Sequence, residues 1–444
     1  MKRIFTLFLV LLPLSAAATS DFDNCFAVIA GKNATVDGSV LMAHNEDDPG
    51  ELMVSMYACP KYLWEELPGW DVADTFFNQY GVAIISDQSS SREDAGEIRD
   101  GGVLRDVRVT VGERARTARE GVKIIGELMD KYGYLDSGRT YMISDANEGW
   151  VVEVMKGRHW VAQRVPDDEV YIIPNYYVID KVDLSDTVNF AGSPDIVEYA
   201  ISRGWYNPET DGEFSFRKVY SKPSTRTNPR NLVRHALAIE YVCGEKPSDN
   251  PDERPFSIKA NKKISVQDLM NILSIRLEGL NDQGSICRKT TVLSNIFQFR
   301  GGLPKEVGCV MWTAMGHPCI EAFIPWYLGM NEAPAGWGRC NTIDEAQATH
   351  FKYDKREMRP VYPDLNWWKY WDRWQQSKDD IENVISAREK PLGRYQKKLF
   401  RRQARFEKKM LRKFFKDGVV SDPDGLSNAL VRRLESDYRR YDKI

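Results

Sequence analysis

Apolar positions along this chain fall into short runs separated by polar turns, and the first informative run starts directly after Cys25. FAVIAG and VLMAH flank the polar segment KNATVDGS, whose Asp37-Gly38 pair is a turn signal, so two strands folding back on each other are predicted. GVAIIS, from Gly81 to Ser86, predicts another strand. Residues 112–132 place Ala118, Val122, Ile125 and Met129 at helical spacing. TYMISD, GWVVEVM, HWVAQRV and VYIIPNYYVI then read as four strands, and residues 266–279 as a helix. CVMWTAM and EAFIPWYL form a second strand-rich group before the proline and glycines of 333–338. Strand groups alternating with helical blocks predict an α+β fold, with too few βαβ units for a doubly wound parallel sheet. There is no internal repeat.

The chain start changes the picture. Lys2 and Arg3 precede an apolar run from Ile4 to Leu14 and the small residues Ser15 to Ala18, the pattern of a secretory signal peptide. Residues 1–18 are expected to be removed, 19–24 to be a short propeptide, and 25–345 to form the catalytic domain, followed by a helical extension over 346–444. A lipid anchor on Cys25 is disfavoured, because Asp23 and Asn24 stand where that processing wants small apolar residues. The expectation is an exported protein, periplasmic or secreted, with no transmembrane segment.

Composition adds one feature. Of the 444 residues 42% are apolar and 28% charged, as in an ordinary globular protein. Between Arg388 and Lys416, however, 13 Lys/Arg face 2 Asp/Glu, a balance of +11 that leaves −14 on the rest of the chain. A solvated helical face docked on the acidic body is the preferred account, ahead of an anionic membrane surface, an acidic partner or nucleic acid, and no nucleic-acid partner is expected. The seven cysteines show no CxxC and no Cys/His cluster of zinc type, so no structural metal is expected, and their pairing is not readable.

Cys25 carries the chemistry. It stands at a processing point, it opens a strand, and the following turn returns the chain to the polar cluster His44-Asn45-Glu46-Asp47-Asp48. A cysteine at a free terminus needs no separate histidine: its own α-amine, with a pKa of about 8, can take the thiol proton and later protonate the leaving amine. While Asn24 is attached that nitrogen is an amide and cannot act as a base. Removal of the preceding residues, by autocatalytic processing, therefore belongs to the mechanism.

The string CFAVIAGKNATVDGSVLMAHNEDD resembles the opening of the dipeptidase A and secernin family of cysteine N-terminal-nucleophile (Ntn) hydrolases, related to bile-salt (choloylglycine) hydrolases and penicillin acylases. The likeness continues through NQYGVAIISDQSS, ERARTAREGV, EGWVVEVMKGRHWVAQRVPDDEVYIIPNYYVI and CVMWTAMGHPCIEAFIPWYLGM, over roughly residues 25–375. It implies a four-layer αββα sandwich of two mainly antiparallel sheets. It also implies Cys25 as nucleophile, Asp47 as the acid that orients the terminal amine, and Asn175 as an oxyanion-hole amide. His44 stands where the bile-salt branch has an arginine, and Gln88 and Arg230 fall near a second oxyanion amide and an active-site arginine. The expected activity is hydrolysis of small peptides, namely dipeptides, with no metal or organic cofactor. An amidase acting on N-acyl amino acids or conjugated bile acids, and a non-catalytic secernin-like protein with a basic tail on an anionic surface, stay open. So does a homo-oligomer.

Overall fold

The structure is a computed structural model and describes residues 25–47, 54–67, 71–277, 284–338, 359–360 and 363–444. The expected leader and propeptide, the boundary at 345 and Cys340 lie outside those residues.

The strands, in chain order, are β1 (Phe26–Ala30), β2 (Val40–Asp47), β3 (Ser55–Ala58), β4 (Tyr62–Leu67), β5 (Asp71–Asn78), β6 (Ala83–Gln88), β7 (Tyr134–Ser144), β8 (Gly149–Gly157), β9 (Trp160–Arg164), β10 (Val170–Ile173), β11 (Phe190–Gly192), β12 (Ser257–Ile258), β13 (Thr291–Phe299), β14 (Cys309–Met315) and β15 (Ile324–Tyr327). They pair antiparallel into two sheets, ordered β12-β10-β1-β2-β13-β14-β15 and β11-β9-β8-β7-β6-β5-β4-β3. The sheets stack face to face. Phe77 of β5 meets Phe297 and Phe299 of β13 edge to face, with ring centroids 5.5 and 5.3 Å apart. At Gly149 the approach is closer still, since a Cβ there would lie 2.7 Å from Ile29 Cγ2.

Helices cover both outer faces. α1 (Asp106–Arg114) and α2 (Ala118–Tyr132) bury Val107, Val111, Val122, Ile125 and Met129 against Ile84, Ile143, Val152 and Val154 of the eight-stranded sheet. α3 (Pro229–Cys243) and α4 (Val266–Leu273) lay Ala238, Val242, Leu269 and Leu273 on the seven-stranded one. This is the expected four-layer αββα sandwich.

Several elements differ from the sequence reading, and β3, β4, β5 and α3 went unpredicted altogether. The helix predicted over 112–132 is two helices, because the Thr117 side chain accepts the Glu120 N–H and so caps a new start. The predicted helix over 266–279 ends at Leu273, where Ser274 closes it. The central strand β13 went unpredicted: Ser294, Asn295 and Gln298 break its apolar pattern, yet all nine residues are buried. Their partners explain that burial, since Ser294 donates to Asn45, Thr313 donates to Asn295, and Gln298 donates to Asp37.

The basic region is helical, as expected. α5 (Trp367–Ser377), α6 (Ile381–Phe414) and α7 (Pro423–Tyr441) pack onto the seven-stranded sheet's far edge. α6 is held by its buried Tyr395, Leu399, Met410 and Phe414 and by a two-pronged ion pair from Arg300 to Glu407, both contacts at 2.8 Å. Arg405, Lys408, Lys409, Arg412 and Lys413 face outward. Among the described residues no helix is long and apolar enough to cross a membrane.

Candidate active site

Cys25 precedes β1 and is only 6% exposed. The β1–β2 register sets Phe26 opposite Asn45 and Ala27 opposite His44, which brings Cys25 across from Glu46. Its Sγ lies 3.6 Å from Glu46 Oε1. His44 and Glu46, two apart on β2, share the face that looks toward the second sheet. From that sheet β6 contributes Asp87, fully buried, with Oδ1 3.1 Å from His44 Nε2. Asp47 is held from the neighbouring strand, where the Thr291 hydroxyl donates to its Oδ1 at 2.5 Å. The site therefore gathers three adjacent strands of one sheet, β1, β2 and β13, and one strand, β6, of the other.

Burial first, then the carboxylates of Glu46, Asp87 and Asp47, push the Cys25 thiol well above its ordinary pKa. A hydrogen bond from the Asp47 backbone N–H works the other way. Burial also raises Asp87, against the hydrogen bond and charge of His44 and the charges of Arg234 and Arg139. Three carboxylates around one thiol form a pocket that favours positive charge beside the sulfur. The thiolate is disfavoured there until such a charge arrives.

A second cluster stands on the carbonyl side. Arg234, on α3, is completely buried and donates from Nη1 to the Cys25 carbonyl at 3.2 Å. Its Nη2 donates to Asn175 Oδ1 at 2.7 Å and to Asn231 Oδ1 at 2.9 Å. Burial and then the charge of Arg288 lower Arg234 to about 10, while Asp47, Asp87 and Cys25 support it. Asn175 follows β10 with φ +67°, a left-handed conformation that asparagine tolerates, and its Nδ2 donates to the Gln88 carbonyl at 3.1 Å.

The segment carrying Asn175 is pinned from below. Glu153 Oε1, on β8, accepts the N–H of Val178 at 2.7 Å and of Ile179 at 3.4 Å. Burial raises Glu153 to about 8, although those N–H groups and Arg217 lower it. Below its ordinary pKa the carboxyl is protonated in the folded and unfolded chain alike. Between about 4.5 and about 8 the unfolded chain ionises it while the folded chain keeps it neutral, so folding stability falls as pH rises through that window, by roughly 3 kcal/mol at about pH 7. Glu153→Gln, neutral throughout, is expected to lose less Tm between about pH 5 and about pH 8 than the wild type. Equal losses in thermal scans of the two proteins would refute this.

The structure brings Cys25, His44 and Asp47 together, and Asn175 joins them through Arg234. Gln88 contributes its backbone carbonyl, whereas its side-chain amide turns to Ser137, 3.5 Å away. The pleat explains this: Ile85 and Asp87 point between the sheets, and Ser86 and Gln88 point to the other face. The arginine on the Cys25 carbonyl is Arg234, one helical turn after Arg230, whose N–H is bonded to the capping Asn228. Sequence reasoning also missed Glu46, Asp87 and Thr291. The signal for Arg234 was present, because Asn231, Arg234, His235 and Ala238 share one face of α3 at helical spacing.

Cys25, His44 and Glu46 bring a sulfur, an imidazole nitrogen and a carboxylate oxygen within 4.8 Å of one another. Such a set can bind Zn²⁺. An ion there would occupy the thiol.

The model of peptidase family C69 matches residues 98–370, more than half of the chain and downstream of Cys25. A probable dipeptidase of Latilactobacillus sakei is 28% identical over 356 residues, covering 69% of this chain and 75% of the relative. Dipeptidase A of Lactobacillus helveticus is 26% identical over 371 residues, covering 70% and 77%. Among solved structures, penicillin V acylase from Agrobacterium tumefaciens matches with a TM-score of 0.37 and 12% identity, over 68% of this chain and 86% of that one. A variant of conjugated bile acid hydrolase from Clostridium perfringens matches with a TM-score of 0.31 and 12% identity, over 66% and 89%.

Proposed function

The chain belongs to peptidase family C69, and from that premise we propose that it is an exported cysteine dipeptidase whose nucleophile is Cys25, freed at its amine by removal of the residues before it. The observation that carries this reading is the surroundings of the Cys25 sulfur. A buried thiol facing Glu46, Asp87 and Asp47 is a poor nucleophile by itself, and an ammonium on the same residue supplies the charge those carboxylates favour.

In the proposed sequence the thiol passes its proton to the α-amine of Cys25, and the sulfur attacks the peptide carbonyl. Asn175 Nδ2 donates to the oxyanion. Collapse breaks the C–N bond, the α-ammonium returns the proton to the departing amine, and an acyl thioester stays on Cys25. Water then gives a proton to the same amine as it attacks, and the thioester opens to acid and thiol. Asp47, held by Thr291, orients the ammonium. His44, between Glu46 and Asp87, shapes the polar wall of the site.

The test compares a preparation beginning at Cys25 with one still carrying residues 19–24, their starts fixed by intact mass. Dipeptides and N-acyl amino acids are assayed side by side. Dipeptide hydrolysis by the first preparation alone is the expected result. Cleavage of N-acyl amino acids with dipeptides left intact would replace the substrate while keeping the nucleophile. A chain that after export still begins before Cys25, and cleaves neither, would overturn the enzymatic reading.

A further inference from the structure

We propose that Cys287 and Cys319 form a disulfide that staples the open end of the β13–β14 hairpin and fixes the turn that presents Thr291 to Asp47. Their Sγ atoms lie 2.9 Å apart. That is inside a non-bonded sulfur contact of roughly 3.6 Å, and closing it to a bond of about 2.05 Å takes less than about 1 Å of movement. Cys287 is fully buried and Cys319 partly so.

The placement gives the bond something to hold. β13 and β14 pair from Phe299 opposite Cys309 at the closed end to Leu293 opposite Met315 at the open one. Cys287 and Cys319 lie four residues beyond the strand ends, one on each arm. Between Cys287 and β13 the chain makes the turn in which Arg288 N–H donates to Thr291 Oγ1 at 2.9 Å, and that hydroxyl donates onward to Asp47. The Cys287 end is already anchored: its N–H donates to Ile275 O, and its carbonyl accepts from Arg276 Nη1 at 3.2 Å. The arm carrying Cys319 is tied by Ser274, whose hydroxyl donates to Pro318 O at 3.1 Å. A bond between the sulfurs closes a loop of roughly 30 residues and removes that freedom from the unfolded chain.

The chemistry balances through exchange with a low-molecular-weight or protein disulfide. One thiol, as thiolate, attacks that disulfide and releases one of its sulfurs as a thiol. The second thiolate attacks the mixed disulfide, the Cys287–Cys319 bond forms, and the other sulfur leaves as a thiol. The two cysteines lose two protons and two electrons, and the oxidant takes them up. This bond is independent of the peptidase reading, and export would supply the oxidant.

The experiment equilibrates the full chain with oxidised glutathione, measures its intact mass, alkylates it in denaturant without reduction, digests it and maps the peptides. The expected result is one cross-linked peptide pair holding Cys287 and Cys319, alkylated Cys25, and a mass about 2 Da below the reduced chain. Reduction is expected to lower Tm by roughly 5 °C. The Cys287→Ser/Cys319→Ser double variant should start at that lower Tm and ignore the reductant. Alkyl label on both cysteines after equilibration, a link from either to another cysteine, or a wild-type Tm that reductant leaves unmoved would overturn the proposal.

Discussion

A chain beginning at residue 25 with Cys25→Ala is expected to hydrolyse dipeptides at least about 10⁴-fold more slowly than the same chain with cysteine, while Tm shifts by no more than a few degrees. The size of the effect follows from what the thiol does. Without it no thioester forms, and only substrate binding and the oxyanion donor are left to aid direct attack by water. The small effect on stability follows from position. Residue 25 precedes β1 rather than lying within it, and alanine removes a single buried sulfur whose contact with Glu46 is 3.6 Å. Starting both chains at residue 25 matters, because a variant that fails to process itself would be inactive for another reason. Dipeptide turnover within tenfold of wild type by the alanine chain would end the case for Cys25.

The same physics makes the freed amine a companion prediction in kind. With an amide at its nitrogen, Cys25 has burial and three carboxylates that favour the thiol, opposed only by the Asp47 backbone N–H, and the thiol wins. An α-ammonium adds a positive charge within the residue itself, where Coulomb attraction to the sulfur is strongest. The carboxylates that oppose the thiolate also stabilise that ammonium. Glu46, Asp47 and Asp87 thus disfavour the sulfur's charge while the nitrogen is an amide and, in the proposed mechanism, stabilise the ammonium that offsets it.

How far the sequence discloses this depended on whether a residue announces itself through its own pattern or only through its neighbours. β1, β2, β6 and β8 are apolar runs bounded by turn residues, and they form where those runs lie. β13 carries the same burial with amides and hydroxyls in its middle, and only the facing Asn45, Thr313 and Asp37 make that tolerable. At the site, Cys25 and Asp47 were legible from the strand, the turn and the family resemblance. Asp87 was not, because it belongs to the other sheet, and which of Asp87 or Gln88 faces inward depends on the pleat of β6. Arg230 and Arg234 show the same limit on a helix. Both lie on α3 one turn apart, and only the packing of α3 on β10, beside β1, selects Arg234 for the Cys25 carbonyl.

Asn175→Gly is the second large effect, an expected fall of about 10²- to 10³-fold in kcat with KM changed by less than about threefold. Glycine is the informative replacement because the backbone at 175 has φ +67°, which glycine adopts freely and alanine does not. Activity lost in the glycine variant is therefore loss of the amide rather than strain. The orientation of that amide is set by Arg234: a guanidinium can only donate, so the atom it touches at 2.7 Å must be Oδ1, and Nδ2 is turned toward the Gln88 carbonyl with one further N–H for the oxyanion. Arg234→Met removes that constraint and leaves the Cys25 carbonyl, Asn175 Oδ1 and Asn231 Oδ1 without this donor, at a cost of roughly 3 kcal/mol in stability. It is expected to lower kcat by about tenfold or more, through Asn175. If Arg234 acts by orienting Asn175, the double variant is no slower than Asn175→Gly alone, since there is no amide left to orient. Multiplied losses in the double variant would give Arg234 a separate role, and an Asn175→Gly enzyme within threefold of wild-type kcat would remove Asn175 from the oxyanion hole.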